Sequence, residues 1–518
     1  MKQSCLTTPK SMKMSIRLLV NSLTHFRMKL LYNILLVLIG IFFSITMQGQ
    51  AGDFEKRKNK SSQTFEDFKK KQTEKFESYK RKKQLEFAKF LEEKWKEFEL
   101  FAGKESPQLP EPVDPPVANP TDTIPDVEVP TLPVVVLPPE EEVIPIPDTP
   151  VIPEDVVYNK IAVKFAGHEL TVNYDKTFNI ALPQITEDKI AGYWTTLAKG
   201  SFEELIYQCF LIKKELKLND WGYYLFVKEL ANNIYLSDQK NEKIAFIAFV
   251  LDNSGYKVRM GRDENYKNLV LMLAVEDQVY LKSYFIFSGK NYYLVEGNIS
   301  SSVYTYNEWQ EDSRKKAMHL VINESFKMAD YNQTKSIKNQ IWEDVVEIKY
   351  NPQLKEFYNQ MPACDLSVFF NSECSEEVSN SLKTQLGKRL AGKSKKEQVS
   401  ELLSFIHQGF PYMTDDNQFG REKFFFYEET FIYPYSDCED NSILFAYLVR
   451  KLTGLKIVGL LYYDHAATAV KFDEETEGSY ILHKGEKYTI CDPTYIGARI
   501  GQCMPQYLNE SAQIIEIK

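Results

Sequence analysis

The sequence predicts an α+β protein whose C-terminal part packs a buried helix on an antiparallel sheet. Apolar residues recur at helical spacing from Ile443 to Val449, which predicts a buried helix. Two segments with the composition of strands follow it, Lys456–Tyr463 and Ala466–Phe472, and a third lies at Tyr488–Cys491. A helix followed by short strands with tight connections is typical of the α+β class.

Composition and charge exclude several classes of protein. The chain has 518 residues, of which 43% are hydrophobic and 13% aromatic, so it has the material for more than one core. Its net charge of -9 gives no basic surface, and we therefore expect no nucleic-acid partner. Seven cysteines in a chain of this length do not indicate a disulfide framework.

The N-terminal residues 1–51 resemble an export signal. Met28 and Lys29 precede an apolar run, Leu30–Met47, and small or polar residues then extend to Ala51. Met28 is the expected start of translation. We expect an extracytoplasmic chain, either periplasmic, on the cell surface or secreted. If the signal is not cleaved, the apolar run is just long enough to anchor the chain in a membrane.

The sequence of residues 52–104 predicts one long charged helix with an aromatic stripe along it. Helix-forming Lys, Glu, Gln and Arg residues separate aromatic residues that repeat every eleven positions, a period compatible with a coiled coil. We expect self-association through residues 54–101; the alternative is an aromatic stripe that rests on a membrane surface. The repeated positions are Phe54, Phe65, Phe76, Phe87 and Phe98.

Residues 105–155 predict an acidic, proline-rich linker. Fifteen prolines lie between Pro107 and Pro153, and neither lysine nor arginine occurs there. Such a composition favours a semi-extended polyproline conformation. We interpret the segment as a stalk that holds the globular part away from its anchor.

Residues 156–350 predict a second α+β domain that is a degenerate copy of the C-terminal one. In both regions a buried helix, a glycine (Gly255 or Gly454) and a strand follow one another. In this alignment Lys240 stands where Cys438 stands, and Glu296 stands opposite Asp492. The alternative is chance similarity between two common helix–glycine–strand units. The copy has no cysteine at the position of Cys438 and no histidine near that of His465, so we expect no thiol catalysis from it.

Residues 351–394 connect the two domains, and residues 395–518 form the last unit. Cys364 and Cys374 lie ten residues apart in a segment without strong periodicity. In an exported chain these two cysteines are candidates for a disulfide.

The start of the C-terminal helix carries the first candidate catalytic residue. Asp437 and Asp440 have the spacing of a capping box, which places Cys438 in the first turn. Free backbone N–H groups and the helix dipole favour a thiolate at that position. Because Glu439 and Asp440 oppose this effect, the cysteine needs a base.

His465 and Asp492 complete a constellation for acyl transfer. His465 lies at the junction of two predicted strands, and Asp492 ends the next strand, just before a proline. A thiolate can attack an acyl group while an imidazole moves the proton and a carboxylate fixes the imidazole tautomer. We predict that these residues act with Cys438 and need neither a cofactor nor a metal ion.

The chain has DCED at a helix start, His–Ala at the opening of a strand and an aspartate in DPT. This pattern resembles the transglutaminase-like superfamily, which is related to papain-like cysteine proteases. The resemblance covers roughly residues 395–500. It implies a papain-like fold, with Cys438 as nucleophile, His465 as general base and Asp492 as the partner that orients it. Many members have an aromatic residue two positions after the histidine, where this chain has Ala467.

Gln418 is the candidate oxyanion donor or substrate contact, since an acyl intermediate needs a donor aimed at its oxygen; a surface glutamine is the alternative.

Three hypotheses follow for function. The leading one is a hydrolase that cleaves an amide in a peptide or protein, and the second is a transglutaminase that crosslinks protein chains. The third is a non-catalytic peptide-binding module on a stalk.

Overall fold

The structure is a computed structural model, and it does not describe every residue. The predicted signal segment lies outside the described residues. No helix in the described part of the chain is long and apolar enough to cross a bilayer. The chain divides into residues 1–75 and a larger unit of residues 76–518. The described residues are 51–105, 116–135, 144–145, 147, 149–150, 156–299, 301–309, 314–329, 333–339 and 344–518.

The α+β class is confirmed, because helices pack on curled antiparallel sheets. The helices are α1 (Ala51–Leu91), α2 (Glu187–Lys199), α3 (Phe202–Glu215), α4 (Asp220–Ile234), α5 (Lys240–Asn253), α6 (Leu354–Tyr358), α7 (Leu366–Asn371), α8 (Glu376–Leu390), α9 (Lys395–Gly409), α10 (Asp415–Phe419), α11 (Glu429–Ile432) and α12 (Cys438–Leu448). The strands are β1 (Lys96–Glu99), β2 (Thr131–Val135), β3 (Tyr158–Phe165), β4 (His168–Asp175), β5 (Val258–Arg262), β6 (Leu269–Ala274), β7 (Tyr284–Phe287), β8 (Lys290–Glu296), β9 (Ser302–Thr305), β10 (Gln333–Asn339), β11 (Asp344–Tyr350), β12 (Lys456–Leu461), β13 (Ala466–Lys471), β14 (Tyr480–His483), β15 (Glu486–Cys491) and β16 (Ala512–Ile515).

The long N-terminal helix is shorter than predicted. It ends at Leu91, and the chain then forms β1, so Phe98 lies on a strand and not on the helix. Phe87 is 4% exposed and its ring lies 5.1 Å from that of Trp194, in an edge-to-face contact. The last helical aromatics of the repeat therefore belong to the core of the middle domain. On the described part of α1, Phe68, Phe76 and Tyr79 are exposed, and self-association through this helix stays a prediction.

The first six-stranded sheet is closed by the segment that follows α1. Its strand order is β1-β9-β5-β6-β8-β7, and β1 pairs with β9 at one edge. Two residues beyond β1, Phe101 exchanges backbone hydrogen bonds of 2.9 and 3.0 Å with Tyr284 of β7, at the other edge. The same segment thus joins both edges and closes the sheet into a barrel. Val270, Met272 and Phe285 belong to the apolar cluster on these strands.

The second six-stranded sheet is closed in the same way. Its order is β14-β15-β13-β12-β16-β2. β2 pairs in parallel with β16, and just upstream Val129 N–H donates to the Tyr480 carbonyl of β14 at 2.8 Å. One segment again joins the two edges. Val129, Leu460 and Ala467 lie in the apolar cluster of this barrel, so the position with no aromatic after His465 is a packed interior position.

The two barrels share one strand order. In each barrel the first strand, β1 or β2, precedes a buried helix, α5 or α12, and the other five strands follow it. The third and fourth of the strands that follow the helix lie in exchanged positions in the sheet. Lys240 and Gly255 bound the first helix and turn, whereas Cys438 and Gly454 are separated by one residue more. A π-helical turn at Val449–Thr453 absorbs that extra residue. The shared order supports the proposal that the middle domain is an internal copy.

The proline-rich segment is not a free stalk where the structure describes it. Residues 116–135 lie along the second barrel, and Ala118 N–H donates to the Ile496 carbonyl at 2.8 Å. Arg499 Nη2 donates to the Asp122 carbonyl at 2.8 Å. The prolines do not prevent this packing on the barrel. The residues on either side of each proline supply the backbone N–H donors and the buried side chains. The C-terminal domain therefore includes residues that precede the middle domain in the sequence.

The predicted disulfide between Cys364 and Cys374 is absent, since the structure holds both as buried free thiols. The Cys374 thiol donates to the Tyr447 hydroxyl at 2.9 Å. Val279 forms a β-bridge with Cys364. Each cysteine thus packs against a different part of the core.

Candidate functional site

Cys438 begins α12, as predicted. Asp437 is the N-cap, and its side chain accepts from the Asp440 N–H at 3.4 Å. This bond is one half of the predicted capping box. The other half, a bond from the Asp437 N–H to the Asp440 side chain, does not form, because Asp440 Oδ1 accepts from the Phe425 N–H at 2.9 Å. The Cys438 thiol donates to Glu439 Oε2 at 3.0 Å. The first turn therefore holds the thiol among carboxyl groups.

His465 and Asp492 form the predicted pair. His465 lies just before β13 and Asp492 just after β15, and these strands are neighbours in the sheet. His465 Nε2 lies 2.9 Å from Asp492 Oδ2, and the two residues are 1% and 3% exposed. The carboxylate thus accepts from Nε2–H and fixes the imidazole tautomer.

The turn after β15 holds the Asp492 carboxylate. Its Oδ1 accepts from Thr494 N–H and Thr494 Oγ1, each at 3.0 Å, and from Tyr495 N–H at 3.1 Å. Burial opposes ionisation, but the charge of His465 and these hydrogen bonds outweigh it and hold the pKa of Asp492 below its ordinary value. The residue is therefore an anion bonded on both oxygens.

The other imidazole nitrogen forms no hydrogen bond in the described chain. Within the described residues, His465 Nδ1 is buried and has no hydrogen-bond partner. Ser442, one helical turn after Cys438, donates its hydroxyl to the Ala466 carbonyl at 3.0 Å. Because residues four apart share a helix face, this bond places the Cys438 face of α12 against the strand that His465 precedes.

Tyr507 stacks on the imidazole and lies near enough to the thiol to be influenced by its charge. Its ring stacks on His465 with centroids 5.2 Å apart and planes 6° apart, and its hydroxyl donates to Asp464 Oδ1 at 2.8 Å. Burial, Asp464 and the nearby Cys438 thiol raise the pKa of Tyr507. Cys438 is only 1% exposed, so the site is enclosed.

Gln418 lies in α10, upstream of α12 in the sequence. Its Nε2 donates to the Tyr435 carbonyl at 3.2 Å. Tyr435 is three residues before Cys438 in the sequence. The side chain thus supports the approach to α12, and its role as oxyanion donor stays a prediction.

His407 is a residue of the site that the sequence analysis missed. Both of its ring nitrogens are hydrogen-bonded. Nε2–H donates to the Asp492 carbonyl at 3.1 Å, and Nδ1 accepts from Gly497 N–H at 3.3 Å. Burial lowers the pKa of His407, which favours this neutral form. No sequence motif marks it, because the contact joins α9 to a turn 85 residues away.

We expect His407→Leu to lower the turnover of an amide donor by about tenfold to hundredfold, since supporting residues of a site have effects of that size. The loss of both hydrogen bonds would free the backbone of the turn that holds Asp492. His407→Gln, which keeps a donor and an acceptor, should restore most of the activity. Steady-state kinetics of the three proteins test this, and equal defects in the two variants would contradict a positioning role.

Carboxyl groups surround the first turn of α12. Burial, followed by the charge of neighbouring carboxyl groups, raises the pKa of Glu422 to about 9. Burial likewise raises the pKa of Asp415, to about 7. Two sets of carboxylate oxygens lie close enough to hold a metal ion, although the sequence predicts none: Asp415, Asp437 and Asp440, and Asp415, Glu422 and Glu439.

The middle domain has no comparable site at the aligned positions. Lys240, which aligns with Cys438, is exposed. Glu296, which aligns with Asp492, accepts from Tyr224 and lies 2.6 Å from Lys228 Nζ. Its carboxylate is therefore used in a structural ion pair.

Comparisons with known proteins add no assignment to this geometry. No protein-family model matches the chain, and no curated protein and no solved structure matches it significantly.

Proposed function

We propose that the chain is a cysteine enzyme that cleaves an amide in a peptide or protein through a thioester on Cys438. The observation that carries the proposal is the orientation of His465. Its Nε2 is bonded to Asp492, while its Nδ1 has no partner among the described residues. A base needs one fixed nitrogen and one free nitrogen, and His465 has both.

Each residue has a defined part in the reaction. The Cys438 thiol gives its proton to His465 Nδ1, and the sulfur attacks the amide carbonyl carbon. The imidazolium then protonates the leaving amine as the C–N bond breaks, which leaves a thioester. Water, deprotonated by Nδ1, attacks the thioester, and the thiol takes back its proton. Asp492 stays ionised and stabilises the imidazolium throughout.

The closed site requires movement before a substrate binds. Cys438 and His465 are each 1% exposed, and the Tyr507 ring covers one face of the imidazole. Tyr463, two residues before His465, is 84% exposed and lies at the turn between β12 and β13. Displacement of Tyr507 would expose the imidazole, with Tyr463 at the edge of the opening.

A thiol-directed probe tests the proposal. We expect it to label the wild type and not Cys438→Ala. Cys491→Ala is the matched control, because burial raises the pKa of this thiol and it should contribute no labelling. Labelling that does not depend on Cys438 would contradict the enzyme proposal and leave the peptide-binding module.

Hydrolysis and crosslinking differ in the acceptor that resolves the thioester. Incubation with a glutamine-containing peptide and a labelled amine separates them. Ammonia release without incorporation of the amine is expected for the hydrolase. Incorporation of the amine would instead assign a transglutaminase.

A further inference from the structure

Five carboxyl groups converge beside the start of α12, apart from the His465–Asp492 pair. The oxygens of Asp415, Asp437 and Asp440 lie within 4.8 Å of one another, and so do those of Asp415, Glu422 and Glu439. Asp415 belongs to both sets. Asp437 and Asp440 are 0% and 1% exposed, and Asp415 is 2% exposed. Burial of so many carboxyl groups is costly unless they are paired, protonated or bound to a metal ion.

One of these residues has an oxygen that the protein does not satisfy. Asp440 Oδ1 accepts from the Phe425 N–H at 2.9 Å, whereas its Oδ2 is buried and has no partner in the described chain. Asp415 Oδ2 accepts from the Lys423 N–H, and the Asp415 carboxyl also shares a hydrogen bond with the Asp437 carboxyl. The Asp415 and Asp440 carboxyls repel each other, which raises the pKa of Asp440 further after burial. The unbonded Asp440 oxygen, beside two further carboxyl groups, therefore marks a position for a cation.

The nearby ammonium group is already bonded. Lys423 Nζ donates to Glu429 Oε1 at 2.5 Å, and Glu429 is 1% exposed. The same ammonium lies 4.7 Å from the centre of the Phe425 ring. Lys423 favours ionisation of Asp415 and Asp440 at longer range, but one shared charge does not neutralise both.

We propose that Asp415, Asp437 and Asp440 bind one Ca²⁺ ion at the first turn of the helix that carries Cys438. Carboxylate oxygens are the ligands of a hard cation, and three carboxylates supply up to six of them. Ca²⁺ accepts a flexible set of carboxylate ligands, whereas Mg²⁺ usually keeps several waters and is held by only one or two carboxylates. Because all three carboxyl groups are buried, the site favours Ca²⁺.

A solvent-open cleft lies beside the cluster. Glu422 and Lys423 line this cleft, together with Arg421, Phe424 and Glu429. Glu422 also belongs to the second carboxyl set, so solvent reaches a neighbour of the three proposed ligands.

The ion would join two parts of the chain. Asp415 begins α10, whereas Asp437 and Asp440 are the N-cap and third residue of α12. Binding would therefore fix the 415–423 segment against the helix start. Because an ion that binds only the folded state stabilises it, Ca²⁺ should raise the unfolding temperature.

Calorimetric titration of the chelator-treated full-length protein with CaCl₂, and thermal unfolding with and without Ca²⁺, test the site. We expect one bound ion and an increase in unfolding temperature of several degrees. Asp415→Asn and Asp440→Asn should each bind Ca²⁺ at least about tenfold more weakly. Without Ca²⁺ these variants should unfold at the same or a higher temperature than the wild type, because an uncompensated buried charge is removed.

Asp277→Asn is the matched control. Asp277 is 3% exposed and also has a buried unbonded oxygen among the described residues, but it belongs to neither carboxyl set. This variant should bind Ca²⁺ as the wild type does. Absence of binding at millimolar Ca²⁺, unchanged affinity in Asp440→Asn, or equal affinity for Mg²⁺ would overturn the proposal. Cys438→Ala should retain binding, so the site is tested whether or not the chain is an enzyme.

Discussion

Replacement of Asp492 by asparagine is expected to lower the turnover of an amide donor by about 10⁴-fold, the effect of the same change in a serine protease triad. Asp492 Oδ1 accepts three hydrogen bonds from Thr494 and Tyr495, and Oδ2 accepts one from His465. An asparagine has one oxygen, which the three donors should hold. Its NH₂ group would then face His465 Nε2 and force the proton onto Nδ1, the nitrogen that has to act as base.

Two further variants test whether the loss of turnover comes from the changed imidazole tautomer. Asp473→Asn changes an exposed aspartate in the same way and should leave turnover unaltered. Thr494→Ala removes only the hydroxyl donor to Oδ1 and should lower turnover much less than Asp492→Asn. The measurement is kcat/KM with a glutamine-containing peptide, together with the rate of Cys438 alkylation. A wild-type rate in Asp492→Asn would remove Asp492 from the mechanism.

The candidate site could be predicted where its geometry is local. Cys438 follows a recognisable N-cap, and His465 and Asp492 lie at the ends of two neighbouring strands, so the position of each residue follows from one local element. His407 and Asp415 could not be found in this way. Their contacts with Asp492 and with the turn of α12 depend on how distant elements pack, which periodicity does not reveal.

The same reasoning explains the errors in the fold. The alternation and helical spacing of residues 395–491 depend on one helix face or one strand at a time, and these elements formed as predicted. Composition misled at residues 116–135, because prolines favour an extended chain whether or not a sheet edge lies beside it. The aromatic period gave no sign that α1 ends at Leu91, where Phe87 and Trp95 are buried in the core.

The variant Val129→Asp is expected to lower the free energy of unfolding by at least about 2 kcal/mol, because it places a charge in an apolar core. Val129 is 1% exposed and lies in the core of the second barrel with Leu460 and Ile490. Its N–H also bonds to the Tyr480 carbonyl at 2.8 Å, where the segment joins the second edge of the sheet. A loss of this contact opens the barrel beside β15, the strand that precedes Asp492.

Val117→Asp is the matched control, because the same change falls on a side chain of the same segment that is 72% exposed. Its effect should stay within about 0.5 kcal/mol of zero, as for most surface substitutions. Urea unfolding of both variants, with the rate of Cys438 labelling, measures the difference. A free stalk would make the two variants behave alike, so equal stability would contradict the closed barrel. An unstable Val129→Asp with slow labelling would instead show that a segment upstream of the middle domain supports the catalytic one.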